Sequence, residues 1–77
     1  MGVADFELDI CAEVCPMTFV RTKLLLERMV PGQTANIRLR GSEPVDNVPR
    51  AVRDHGHEVL SLTPLEGGVY ELVIRRR

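Results

Sequence analysis

The 77-residue sequence predicts a two-layer α/β (α+β) sandwich in which two helices cover one face of a four-stranded mixed sheet. Three observations lead there. Four short runs alternate apolar and polar residues with the period of a half-buried strand. Two longer segments between the first three runs carry apolar residues at helical spacing. The outward positions of the first two strand runs are charged, acidic on one and basic on the other. One sheet face is therefore solvated, and both helices belong on the opposite face, giving the order β-α-β-α-β-β.

The first strand is expected over about Asp5 to Ile10, with Phe6, Leu8 and Ile10 on one side and Asp5, Glu7 and Asp9 on the other. After the loop from Cys11 to Val14, a helix is expected from Pro16 to about Val30, stopped by Pro31-Gly32. Its core face is Phe19, Thr22, Leu26 and Met29, with Leu25 beside them; Met17, Val20 and Leu24 form a second apolar stripe that should meet solvent. The second strand is Thr34 to Arg40, with Ala35, Ile37 and Leu39 inward. A second helix lies within Val45 to His55, with Val45, Val48, Ala51, Val52 and His55 on one face. Pro44 and Pro49 each suit a first turn, Asn47 could cap the shorter version, and Gly56 supplies a left-handed C-cap. The third strand is His57 to about Thr63. A hairpin loop over Pro64 to Gly68 leads into the fourth, Val69 to about Arg75.

Residues 1–77 make one domain, which at this size buries roughly 60–65% of its unfolded surface. The net charge of −1 gives no general bias toward nucleic acid or anionic membranes. Phe6, Phe19 and Tyr70 are too few for a single-strand stacking platform, so no direct nucleic-acid binding is expected. The three-arginine tail Arg75-Arg76-Arg77 reads as a frayed, soluble end. No apolar run approaches the roughly 18–20 residues of a bilayer span, so no membrane partner is expected. Met1 to Asp5 lacks the basic and apolar regions of a signal peptide, and a cytoplasmic location is expected.

The chemistry centres on Cys15-Pro16. Proline suits the first turn of a helix, which puts Cys15 at or next to the N-cap. Unpaired N–H groups and the positive end of the helix dipole would stabilise a thiolate there and make it the better nucleophile. The alternative is a buried structural cysteine, and spacing alone leaves the two open. Cys11, four residues earlier, reads as a core-facing or loop thiol; the sharper alternative is a secondary thiol that closes a disulfide with Cys15. His55 and His57 do not complete a metal set by spacing, so no metal and no cofactor is expected. Met17, Val20 and Leu24 with Arg21 could form a docking patch beside Cys15, or be partly covered by a loop.

The sequence resembles the TusA/SirA family of small sulfur-carrier proteins. The resemblance rests on Leu8-Asp9, then Cys15-Pro16, then Met29-Val30-Pro31-Gly32, with Asn47-Val48-Pro49 and Gly56-His57-Glu58-Val59. It implies the same β-α-β-α-β-β sandwich and a persulfide carried on the cysteine of a Cys-Pro-x-Pro motif, which maps to Cys15. It also implies a donor enzyme, a cysteine desulfurase or rhodanese-like protein, and an acceptor protein in tRNA thiolation, molybdenum-cofactor synthesis or sulfur oxidation. Two positions depart from the pattern: the motif reads Cys15-Pro16-Met17-Thr18, without the second proline, and Ala12 stands where many members have glycine.

The reading is a sulfurtransferase-like carrier relaying sulfur on Cys15; whether it counts as an enzyme stays open. The alternatives are a non-catalytic regulatory or interaction module on the same scaffold, and a thiol-disulfide switch of Cys11 with Cys15.

Overall fold

The computed structural model describes residues 5–13 and 17–77. Ala35, Ile37 and Leu39 alternate with Asn36, Arg38 and Arg40 along a strand whose first set is fully buried. That strand, β2 (Thr34–Arg40), sits inside the sheet. It pairs in parallel with β1 (Phe6–Asp9) and antiparallel with β4 (Val69–Arg75), which in turn pairs antiparallel with β3 (Glu58–Pro64). The strand order is β1-β2-β4-β3. The helices are α1 (Met17–Arg28) and α2 (Ser42–Asp54).

Register explains the two faces. Ile37 lies opposite Leu72 and Ala35 opposite Ile74, and these join Leu25, Leu26 and Met29 below α1, and Val48 and Val52 of α2, in one buried cluster. On the other face Asp9 lies opposite Arg38, and Arg38 opposite Glu71, so a row of alternating charge crosses three strands. The α+β sandwich with both helices on one face of a mixed sheet is therefore the observed architecture.

Several boundaries differ from the sequence expectation. The first strand is a residue shorter at each end; Ile10 still donates to the Arg38 carbonyl, and Asp5 turns its carboxylate to the Thr34 amide. The first helix ends at Arg28, not Val30, because its last carbonyls have other partners: the Met29 amide reaches back three residues to Leu26, and the Arg76 guanidinium takes the carbonyls of Leu26 and Met29. The second helix begins at Ser42, ahead of the expected range, with Gly41 as its N-cap. Pro44 is then the third helical residue, where an amide hydrogen would have had no intrahelical partner, and Asn47 is not a cap but an interior residue. Pro49 lies inside the helix, as expected only for the longer version.

At its far end Gly56 has a φ of 84°. Its amide bonds the Arg53 carbonyl while the His57 amide bonds Val52, which is a Schellman closure. The third strand runs from Glu58 to Pro64, one residue later than expected, with an irregularity between Val59 and Ser61. The arginine tail is not frayed. Arg75 Nε donates to Glu58 at 2.7 Å, the Arg76 backbone exchanges hydrogen bonds with Gly32 and Gln33, and the Arg77 amide donates to His57 Nδ1.

Candidate functional site

Two of the sequence-predicted site residues, Cys15 and Pro16, lie outside the described residues, so the placement of Pro16 in a first helical turn does too. The segments on either side are described. Past β1 the chain turns at once: Asp9 accepts the Cys11 amide on Oδ1 at 3.0 Å, and the Glu13 amide donates to the Ile10 carbonyl at 3.1 Å. An Asp side chain taking the amide two residues on is a local turn device, here spent at the end of a strand. Ile10, almost wholly buried, anchors that turn in the core. Glu13 then lies 3.7 Å from Arg21 of α1, a surface pair that adds little energy but links the loop to the helix.

Cys11 is a half-buried free thiol. Burial raises its pKa most, the hydrogen bond and negative charge of Asp9 raise it further, and Arg40 and Arg38 offset only part. It therefore stays protonated at neutral pH and is a poor attacking thiol. Asp9 is held below the ordinary carboxylate value chiefly by the Cys11 amide.

The expected docking residues stand together on the outer side of α1. Met17 is 42% exposed, Val20 38% and Leu24 52%. Arg21 has nearly half its side chain in solvent. Leu24 and Arg21 border a shallow groove completed by Leu8, Leu25 and Arg28. Periodicity carries no direct sign that Leu8 and Arg28 join them, because that depends on edge strand β1 bringing Leu8 to the same groove as α1.

Thr18, which stands where the Cys-Pro-x-Pro motif of the resembled family has its second proline, is buried. Its carbonyl accepts the Thr22 hydroxyl at 2.8 Å, whereas its own hydroxyl has no partner among the described residues.

Phe19 and His55, both expected on core faces, stack on each other with ring centroids 5.6 Å apart, and His55 is exposed. His57 is shifted below the usual histidine value by burial, then by Arg76 and His55. No cluster of three or more metal-ligating side chains occurs among the described residues, and none of their helices is long and apolar enough to cross a membrane. Sequence reasoning missed the cleft between α1 and α2, bordered by Phe19, Lys23, His55 and Arg76. A stretch read as a loose tail offered no signal for it.

Among solved structures, the crystal structure of a SirA-like protein from Desulfitobacterium hafniense has the same fold. Its TM-score is 0.81 at 20% identity, covering 91% of this chain and 95% of that one. A Helicobacter pylori protein solved in solution aligns with a TM-score of 0.71 at 15% identity, over 92% of this chain and 96% of its own. In sequence, an Archaeoglobus fulgidus protein named "Putative sulfur carrier protein" is 40% identical over 74 residues, 96% of this chain and 84% of the relative. A Thermotoga maritima protein of the same name is 31% identical over 68 residues, 88% of this chain and 86% of its own length. The family model described as Sulfurtransferase TusA matches residues 6–76. That span runs from the first residue of β1 to the arginine that closes α1, so the whole described scaffold is the family's, and the chain belongs to the TusA sulfurtransferase family.

Proposed function

We propose that this chain, acting as one domain over residues 1–77, is a sulfur carrier that holds sulfur as a persulfide on Cys15. The observation that carries the reading is the Cys15-Pro16 dipeptide inside a family match that spans residues 6–76. The Cys15 thiolate attacks the outer sulfur of a persulfide on a donor enzyme, of the cysteine desulfurase or rhodanese-like class. A new S–S bond forms at Cys15, and the donor's own sulfur leaves as a thiolate with the electron pair of the broken bond. An acceptor protein's nucleophile then takes the outer sulfur by the same exchange and returns Cys15 to a thiolate. No net oxidation occurs, and no cofactor takes part.

Two features support a division of labour. Cys11 is held protonated by burial and by Asp9, which makes it a poor competitor for the incoming sulfur. The exposed Met17, Val20, Arg21 and Leu24 give a donor or acceptor a surface that follows directly on Cys15 in the chain. A reduced, cytoplasmic setting suits such a carrier, because its thiols stay free.

Intact-mass analysis tests this. Reduced protein is incubated with a cysteine desulfurase and cysteine, or with a rhodanese and thiosulfate. The expected outcome is a gain of one sulfur atom, reversed by reductant, retained in Cys11→Ser and abolished in Cys15→Ser. Leu24→Glu should load more slowly while staying folded. Loading that persists in Cys15→Ser removes the proposal. No loading from either donor favours the interaction-module reading, and loss in both cysteine variants brings Cys11 into the relay.

A further inference from the structure

We propose that the cleft between α1 and α2 binds a small organic anion, a carboxylate on an apolar body about the size of one ring. The cleft has a volume of about 160 Å³ and lies apart from the exposed outer stripe of α1. Its walls are apolar: Phe19 and Leu26 from α1, Ala51 and Val52 from α2. A cavity of about 150 Å³ lined by aliphatic and aromatic side chains is large enough to hold benzene, which sets the size of the body.

The charge at its border selects the head group. Lys23 and Arg76 line the cleft against a single carboxylate, Glu27. Glu27 is one helical turn from Lys23, yet no ion pair joins Lys23 to a carboxylate among the described residues. The ammonium is therefore available to an incoming anion. Arg76 is fixed in place by its bonds to the Leu26 and Met29 carbonyls, so its charge is held at the cleft at no further ordering cost. The stacked Phe19 and His55 rings both line the cleft and offer aromatic surface to a ring or a short chain. Apolar walls with a few placed polar groups are the usual make-up of a small-molecule site, and at about 160 Å³ this cleft is smaller than a drug-sized pocket, which limits the ligand to a single-ring body.

The test is an amide-resolved NMR titration of the full chain with benzoate, with benzamide as the neutral isostere. Saturable shifts are expected at Phe19, Lys23, Ala51 and Val52. Benzamide should bind roughly tenfold more weakly, the difference between a charge-assisted and a neutral hydrogen bond. Lys23→Gln, at an exposed helix position, should narrow that gap, and Ala51→Leu should fill the cleft and abolish the shifts. Non-saturating shifts spread over the surface, equal binding of benzamide, or undiminished binding by Ala51→Leu would each overturn the proposal. If Ala51→Leu does not fold, the Lys23→Gln comparison decides: an unchanged benzoate preference also overturns it. Sulfur loading is read separately by mass, so failure of either reading leaves the other standing.

Discussion

Thr18 combines burial, a position in the first described turn of α1, and a hydroxyl with no partner among the described residues. Such a hydroxyl costs about 1–3 kcal/mol relative to a satisfied one. Thr18→Val keeps the shape and removes a hydroxyl that no described residue satisfies. It should hold or raise stability by up to about 1 kcal/mol in urea denaturation, while Thr22→Val, which loses a made bond, should not. A lower midpoint for Thr18→Val would show that its hydroxyl is paired. His57 is the second residue with a readable consequence. Its folded pKa lies below the ordinary value of 6.5, and its neutral Nδ1 accepts the Arg77 amide. Folding therefore favours the uncharged ring. That stability is fully present above pH 6.5 and is lost as the pH falls toward the folded value. The thermal midpoint should drop between pH 7.5 and 5, and it should drop less in His57→Gln.

At the scale of elements, the ends of the helices carry the information. The last carbonyls of α1 are capped from the opposite end of the chain by Arg76, 47 and 50 residues away. A cation at a helix C-terminus is favourable in itself, and charged hydrogen bonds are the stronger kind. Arg76→Ala should cost about 2 kcal/mol in urea denaturation, and Arg76→Lys should recover only part, since an ammonium lacks the planar fork. If Arg76→Ala unfolds at the wild-type midpoint, the cap contributes nothing. The start of α2 depends on Gly41, whose φ of 98° and ψ of 153° lie in a region open essentially to glycine. That backbone delivers the Gly41 carbonyl to the Val45 amide and lets the helix begin ahead of Pro44.

At the scale of the whole molecule, stability rests on one cluster between the helices and the two inner strands. A domain of this size holds together by roughly 4–12 kcal/mol. Ile37 is fully buried at the centre of β2, so Ile37→Ala should cost about 2–5 kcal/mol and clearly lower the thermal midpoint followed by circular dichroism. A small loss would mean that the cavity collapses, and that the core is softer than its burial suggests. The strand order β1-β2-β4-β3 is what makes β2 and β4 central, and it leaves β3 as an edge with Leu60 and Leu62 partly in water.

Periodicity was enough for the element order, the layer arrangement and the two stripes of α1, because a residue's face follows from its own spacing within a strand or helix. Cys15-Pro16 stood out through the local preference of proline for a helix start, and both residues lie outside the described ones. Spacing could not place the ends of the helices, which are set by Gly41 in one case and by a remote arginine in the other. Nor could it find the groove that joins Leu8 to Leu24 or the cleft between Phe19 and His55. Both lie between elements that the chain brings together only after the strands have chosen their neighbours. That choice is made by burying the most apolar surface at once, a property of the assembled layers and not of any segment.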